Sequence, residues 1–204
     1  MRNTCLSLLI LAGTSAFAAN HQPRVESPIE WDASLLTSAY ACTQGINRAQ
    51  VVTNAGDAAF KWSVLNGLVV NGDATPAMEY SVVAGGDILV SVSVKWQGVT
   101  LVRSALLPVL DPPSILRQPQ SITVAPGASV TLTVVSSDDM AIYDWFEGPA
   151  GDTSKIVSAG AAAFKTPALA KSTQYWVRVT GRCGVVESKT ATVTLLGRRR
   201  SAGR

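Results

Sequence analysis

Two segments in which apolar and polar side chains alternate constrain the fold of this chain more than any other feature. One segment is DILVSVSVKW at 87–96, and the other is TQYWVRVTG at 173–181. Every second residue of the first segment is aliphatic, namely Ile88, Val90, Val92 and Val94. Because successive side chains of a β-strand point to opposite faces, a period of two predicts a strand that is half buried. We therefore expect both segments to be strands with one face against a core.

The second alternating segment also presents candidate surface residues. Its alternation predicts that Trp176 and Arg178 face away from the core, and Trp96 ends the first alternating strand. Tryptophan exposed on a sheet stacks on sugar rings or anchors a protein interface. Trp176, Trp96 and Arg178 are thus the candidate contacts, with the alternative that Trp176 covers a neighbouring strand. The residues expected to face inward are Tyr175, Val177 and Val179.

The same order of parts occurs twice along the chain. A tryptophan-bearing strand, with Trp62 or Trp145, precedes a Thr-Pro pair and then an alternating strand in each half. Pro112 and Pro113 lie between the halves and favour a stiff, extended connection. This repetition predicts an all-β fold of two tandem β-sandwiches, with Trp62 and Trp145 as structural residues.

The N-terminus resembles a secretory signal peptide. Arg2 provides the positive charge, LSLLILAG at 6–13 the apolar core, and AFA at 16–18 the small residues that precede cleavage. The apolar run is shorter than the roughly 20 residues that span a bilayer, so no membrane span is expected. We predict an exported protein that is secreted, held at the cell surface or kept in a periplasm. The predicted segments are a signal peptide at 1–18, an N-terminal segment at 19–38, a sandwich at 39–110, a Pro-rich linker at 111–113, a sandwich at 114–196 and a basic tail at 197–204.

The positive charge of the chain is concentrated at its C-terminus. The sequence has 17 Lys and Arg against 14 Asp and Glu, but Arg2 leaves with the predicted signal. Four of the other basic residues lie in the tail GRRRSAGR, which leaves the body with 12 basic and 14 acidic residues. Such a tail can contact anionic surface polymers through Arg198, Arg199 and Arg200, or it can simply be solvated. A slightly acidic body does not indicate nucleic-acid binding.

The second half resembles a bacterial immunoglobulin-like (Ig-like) domain. The matching residues are ILRQPQSITVAPGASVTLTVV at 115–135, YDWFEG at 143–148, TPALAKSTQYWVRVTGRCG at 166–184 and ESKTATVTLL at 187–196. The resemblance implies that Tyr175 is a structural tyrosine at the corner between two strands. It also implies that Val177 and Leu132 replace the two cysteines that join the sheets in many Ig-like domains.

The first half resembles the PKD-like repeats that accompany such domains in bacterial surface proteins. The matching residues are CTQG at 42–45, FKWSVLNG at 60–67, NGDATP at 71–76 and DILVSVSVKWQG at 87–98. Members of that family often carry a second cysteine near position 97 or 99, and this chain has none there. The resemblance of both halves predicts two tandem Ig-like β-sandwiches after a cleaved signal peptide.

Two cysteines, Cys42 and Cys183, remain after removal of the predicted signal. We expect Cys42 near the start of the first sandwich and Cys183 in a turn of the second that faces the linker. A disulfide requires Cα atoms about 4.4–6.8 Å apart, so a bridge forms only if the two sandwiches fold back on each other. Free cysteines are the favoured expectation, and they or an open sheet edge would allow a dimer.

No constellation of catalytic residues is recognisable. The single histidine, His21, lies near the mature N-terminus and does not provide a positioned base for Cys183. Asp138 and Asp139 form the one acidic pair in a turn, where capping is a more common role than holding calcium. We expect no cofactor, no metal and no enzymatic activity.

These features favour an exported interaction module that serves in cell-surface adhesion or in extracellular or periplasmic assembly. Its partner would be a protein or a surface polysaccharide. The alternative is a carbohydrate-binding accessory protein, for which a row of exposed aromatic residues on one sheet would be diagnostic. Fold alone does not decide between them.

Overall fold

The computed structural model describes residues 31–197, and all regular elements within that range are β-strands. The predicted signal peptide, His21 and the arginines of the tail lie outside the described residues. None of residues 31–197 belongs to a helix long and apolar enough to cross a membrane. The predicted all-β fold class is confirmed.

Nine strands precede the two prolines. They are β1 (Ala33–Thr37), β2 (Ala41–Cys42), β3 (Asn47–Thr53), β4 (Ala59–Leu65), β5 (Gly67–Asn71), β6 (Ala77–Val82), β7 (Ile88–Trp96), β8 (Val99–Leu107) and β9 (Val109–Leu110). One sheet has the order β1-β3-β6-β5, a second has the order β4-β7-β8, and β2 pairs with β9 in parallel. The strands of this half hydrogen-bond only with one another in the described sheets.

The core of this half lies between its two larger sheets. Strand β7 contributes the four predicted aliphatic residues, each no more than 1% exposed, and confirms the period-two prediction. Trp62 on β4 is opposite Val92 in the register and is also buried. Met78 and Tyr80 on β6 are buried core residues of the other sheet. The apolar face of a nine-residue strand thus organises the packing of this half.

The N-terminal boundary of the first sandwich differs from the prediction. Strand β1 pairs antiparallel with β3, from Ala33 opposite Thr53 to Thr37 opposite Ala49. Residues 33–37 are therefore part of a sheet, and the predicted start at residue 39 is wrong. The short run ASLLT carries a weak pattern, and its strand conformation depends on the ladder that β3 offers.

Ten strands follow the prolines. They are β10 (Ile115–Arg117), β11 (Ile122–Val124), β12 (Thr131–Thr133), β13 (Val135–Ser136), β14 (Ile142–Glu147), β15 (Ile156–Ala159), β16 (Ala163–Lys165), β17 (Thr173–Gly181), β18 (Gly184–Glu187) and β19 (Ala191–Leu195). The main sheet has the order β11-β19-β17-β14-β15, and β18 also pairs with β17. The pairs β12-β16 and β10-β13 make the remaining ladders.

The core of the second half contains the residues that the sequence predicted. Trp145, Tyr175, Val177 and Leu132 are buried in one cluster, and Trp145 is opposite Val177 in the β14–β17 register. The ring of Phe164 lies 5.7 Å from that of Trp145 and 5.3 Å from that of Tyr175. The predicted structural positions are therefore core positions, filled by apolar packing instead of a disulfide between sheets.

The two halves are joined by a disulfide that the sequence analysis did not favour. Cys42 and Cys183 are bonded, with Sγ–Sγ 2.05 Å and Cα–Cα 5.5 Å. The expectation of free cysteines was wrong because Cys42 is not on the first strand. It follows β1 and lies on β2, whose partner β9 leads directly into the linker. Both cysteines consequently lie beside the linker, and no folding back of one half on the other is needed.

Candidate interaction site

Trp176, the principal predicted contact, is fully buried. Its indole Nε1 donates a hydrogen bond to the carbonyl oxygen of Asp152 at 3.0 Å, and its ring stacks on Phe146 with centroids 4.6 Å apart. The prediction of an exposed Trp176 is wrong, although the side chain does lie on the face opposite to the core. The segment that contains Asp152 covers this face, and alternation along a strand cannot reveal such a cover.

Arg178 belongs to the same covered cluster. Its guanidinium lies 5.6 Å from the centroid of Trp176 and 5.7 Å from that of Phe146, which is the geometry of a cation–π contact. The Nη2 atom of Arg178 also pairs with Glu187 at 2.7 Å. The guanidinium is thus engaged by internal partners, which leaves it poorly suited to bind another molecule.

The other tryptophans do not form an exposed aromatic row. Trp62, Trp145 and Trp176 are at most 2% exposed. Trp96 and Trp31 are half buried and have contacts within the protein. Within residues 31–197 the diagnostic feature of the carbohydrate-binding alternative is therefore missing.

A groove lies on the sheet β1-β3-β6-β5. It has a volume of about 530 Å³, within the range of about 300–1,000 Å³ that is usual for ligand sites. Leu36, Gln50 and Ala77 lie in one row across three strands and point to the outer face. Small Ala77 leaves a depression between its larger neighbours. The residues that line the groove are Leu36, Thr37, Arg48, Ala49, Gln50, Asn71, Gly72, Thr75, Ala77, Met78 and Glu79.

One side of the groove is an ion pair. Arg48 and Glu79 are opposite each other in the β3–β6 register. The Nε and Nη2 atoms of Arg48 donate to the same Glu79 oxygen at 3.0 and 2.8 Å. The pair contributes no net charge, so the groove offers polar atoms without attracting one sign of charge. An exposed pair of this kind adds little to stability.

The opposite side of the groove is the turn that connects β5 to β6. Gly72 has φ +81°, and a Cβ at this position would lie 2.1 Å from the carbonyl oxygen of Ala77. Only glycine fits both the conformation and the space. The turn is anchored on the core, because Trp62 Nε1 donates to the carbonyl oxygen of Thr75 at 2.8 Å. A buried tryptophan thereby holds one wall of the groove in place.

Lys61 strengthens the same anchor from the surface. Its ammonium forms an ion pair with Asp73, and the backbone N–H of Trp62 donates to the carbonyl oxygen of Asp73 at 3.3 Å. The hydrogen bond from Lys61 lowers the pKa of the Asp73 carboxyl below its ordinary value. The carboxylate is therefore ionised at neutral pH, and the ion pair with Lys61 persists there.

Asp138 and Asp139 bind an arginine in the structure. Asp138 accepts hydrogen bonds from the backbone N–H groups of Arg182 and Met140 at 2.8 and 3.0 Å. The Nη2 atom of Arg182 lies 3.1 Å from a carboxylate oxygen of each aspartate. The backbone hydrogen bond from Arg182, with that from Met140 and the guanidinium, lowers the pKa of the Asp138 carboxyl. These acids therefore hold the turn that carries Cys183.

Asp138→Asn should lower the free energy of unfolding at neutral pH by about 1–3 kcal/mol, the range for a lost charged hydrogen bond. Because the folded-state pKa of Asp138 is lowered, its contribution is full above the unfolded-chain pKa of about 3.9. It is lost as the pH falls through the lower folded-state pKa. Denaturant unfolding at neutral and acidic pH should show that the difference in the free energy of unfolding between the wild type and Asp138→Asn disappears in acid.

Asp139→Asn is the matched control for this measurement. Its side chain is 86% exposed, so its removal should change stability by less than about 1 kcal/mol. Equal losses for the two variants would contradict the assignment of the anchoring role to Asp138.

The structure also places the remaining cysteine and acidic side chains. The Sγ atom of Cys183 is bonded to that of Cys42 and is therefore not a thiolate nucleophile. Among residues 31–197 no group of three or more His, Cys, Asp or Glu side chains is placed to hold a metal ion.

The groove was missed by the sequence analysis. Its residues carry no aromatic or catalytic signal, and they come from four strands and a turn that are adjacent only through the strand register. One side of the groove had a local sequence signal, the Asn-Gly pair at 71–72, which is typical of a turn.

Comparison with known proteins identifies the second half. A family model described as "Ig-like domain CHU_C associated" matches residues 112–196. No curated protein sequence matches the chain. The three N-terminal domains of the highly immunogenic outer capsid protein (Hoc) of bacteriophage RB49 are similar in structure, with 13% identity and a TM-score of 0.52. That alignment covers 82% of this chain and 71% of the phage fragment.

Extracellular domains 3–5 of Drosophila OTK are also similar in structure, with 8% identity and a TM-score of 0.51. The alignment covers 81% of this chain, which spans 62% of the OTK fragment. The structure of DIP-gamma IG1+IG2 matches with 14% identity and a TM-score of 0.40, and the alignment covers 82% of this chain and 99% of that chain. Identities this low concern the fold alone. Residues 112–196 are thus similar to the CHU_C-associated Ig-like domains.

Proposed function

We propose that the protein is an exported, non-catalytic interaction module of a bacterium, built from two tandem Ig-like sandwiches. It acts in cell-surface adhesion or in extracellular or periplasmic assembly and binds a protein partner. The family of the second half supports the Ig-like assignment. The separate sheet sets before and after the prolines support the tandem arrangement. The resemblance to a signal peptide supports export.

The observation that carries the proposal is the groove on the sheet β1-β3-β6-β5. Its walls combine aliphatic side chains with amide and hydroxyl groups, and its ion pair is internally neutralised. An uncharged protein segment that inserts an aliphatic side chain beside Leu36 and Ala77 would match both properties. None of the described lining residues is aromatic, so the groove offers no platform for stacking a sugar ring. A protein partner is therefore favoured over a polysaccharide.

The disulfide supports the same role. It fixes the turn of the second half against the linker end of the first, so an interaction surface on one half is presented in a set position relative to the other. Preorganisation of this kind reduces the entropy lost on binding. Tyr40 adds a contact, since its hydroxyl donates to the carbonyl oxygen of Arg182 at 3.3 Å.

Ala77→Arg should weaken partner binding without unfolding the protein, because the new side chain fills the depression. The partner would first be isolated from cell envelopes by cross-linking to the mature protein and then purified. We expect Ala77→Arg to weaken its affinity by at least about tenfold, which corresponds to about 1.4 kcal/mol. Titration calorimetry should show that the affinity of the wild-type protein for the partner is nearly the same in low and in high salt.

Val102→Arg is the matched control, since Val102 is an exposed aliphatic residue on the outer face of the sheet β4-β7-β8. It should bind like the wild type. Equal affinities of the two variants would overturn the assignment of the groove. Capture only on insoluble polysaccharide would favour the carbohydrate alternative, and binding that disappears with salt and with removal of residues 198–204 would assign contact to the tail.

A further inference from the structure

Strand β5 is flanked by two Asn-Gly pairs that differ in their surroundings. In the first pair, Asn66 precedes the strand and Gly67 begins it. In the second pair, Asn71 ends the strand and Gly72 follows it. In an Asn-Gly pair the glycine backbone nitrogen can attack the side-chain amide carbon, because no Cβ shields it. We propose that Asn71 is a site of spontaneous deamidation in the folded protein and that Asn66 is protected from it.

The reaction needs only water and hydroxide. Hydroxide removes the proton from the Gly72 nitrogen, which then forms a bond to Asn71 Cγ. The bond between Cγ and Nδ2 breaks, and ammonia leaves after taking up a proton from water. Water then opens the resulting succinimide, which gives aspartate or isoaspartate. The net change is the replacement of an amide by a carboxylate.

The geometry at Asn71 places the reacting groups together. Asn71 is exposed, and its Oδ1 accepts a hydrogen bond from the backbone N–H of Gly72 at 2.9 Å. This contact keeps the attacking nitrogen beside the side-chain amide. Gly72 lies in the turn beyond the end of β5, so its nitrogen is outside the strand ladder. The attacking nitrogen and the side-chain amide of Asn71 are therefore already in contact in the folded protein.

The geometry at Asn66 opposes the same step. Its Nδ2 donates to the carbonyl oxygen of Asp87 at 2.9 Å, which holds the amide away from the following nitrogen. Ring closure at Asn66 would first require the loss of this hydrogen bond.

Deamidation of Asn71 would change the charge of the groove. Asn71 is opposite Glu79 in the β5–β6 register, and Glu79 already neutralises Arg48. A new carboxylate leaves the groove with one unbalanced negative charge, and like charges on opposite strands repel. The chemical step is independent of the proposed function, whereas its effect on binding rests on that function.

The test compares the two sites in one protein by peptide mass spectrometry during incubation in mildly alkaline buffer. Conversion at Asn71 should be at least about tenfold faster than at Asn66 in the folded protein, a factor that corresponds to about 1.4 kcal/mol in the barrier. In denaturant the two rates should become similar, because both sites are then simple Asn-Gly pairs. Equal rates in the folded protein, or conversion at Asn71 only after denaturation, would overturn the proposal.

Asn71→Gln should eliminate conversion at this position and leave Asn66 unchanged. Asn71→Asp provides the product in pure form, and we expect it to weaken binding of the purified partner and to make that binding depend on salt. If Asn71→Asp binds the partner as tightly as the wild type does, the proposed effect of deamidation on the groove is overturned. The mass spectrometric measurement of deamidation does not depend on that result.

Discussion

Simultaneous replacement of Cys42 and Cys183 by serine should lower the free energy of unfolding by about 2–5 kcal/mol. The bridge joins residues separated by 141 positions, so its loss restores much conformational freedom to the unfolded chain. The bridge ties the turn of the second half to the linker end of the first, where Tyr40 adds a hydrogen bond to the Arg182 carbonyl. The variant should therefore also show a wider distribution of distances between the halves.

Chemical denaturation would measure the loss of stability, and small-angle X-ray scattering would measure the spread of distances. The wild type treated with a reductant is the matched control and should behave like the double variant. Under oxidising conditions the wild type should migrate as a monomer in non-reducing electrophoresis, because both cysteines are used within one chain. Two reactive thiols in the untreated wild type would contradict this account of the junction.

Trp176→Ala should lower the free energy of unfolding by about 3–5 kcal/mol, as expected for removal of a large buried aromatic side chain. The substitution removes the stacking on Phe146, the cation–π contact with Arg178 and the hydrogen bond to the Asp152 carbonyl. Stability would be measured by denaturant unfolding. Partner affinity should remain near that of the wild type under conditions in which the variant is folded.

Trp176→Phe is the control that keeps a ring in the stack but loses the indole hydrogen bond. Its loss of stability should be smaller than that of the alanine variant. A stable Trp176→Ala protein that no longer binds its partner would restore the surface role that the sequence indicated.

The fold was predictable where a pattern repeats within one strand. The alternation of β7 and β17 identified the two central strands, and the same alternation placed Val92 and Val177 in the cores. The Ig-like resemblance identified Tyr175 and Leu132 as core positions. The alternation succeeded because one strand contains all the information that it requires, whereas Tyr175 and Leu132 required the resemblance to a family.

Features that depend on several segments were not predictable. The burial of Trp176 requires the chain around Asp152 to cross the sheet, and nothing within β17 encodes that crossing. The Cys42–Cys183 bridge depends on an additional strand, β1, which moves Cys42 to the end beside the linker. Arg103 is another case: it is opposite buried Val92 and donates from Nε to the Ala33 carbonyl at 2.7 Å, which joins β8 to β1 across the two sheets.

We propose the groove on the sheet β1-β3-β6-β5 as the surface through which the protein binds its partner. Two leucines on the outer faces of opposite sheets provide matched probes, since Leu36 is 52% exposed and Leu106 is 64% exposed. Hydroxyl-radical footprinting of the free protein and of the purified complex compares their oxidation in one experiment. Our account predicts that partner binding protects Leu36 and leaves Leu106 unchanged. Protection of Leu106 with unchanged oxidation of Leu36 would contradict it.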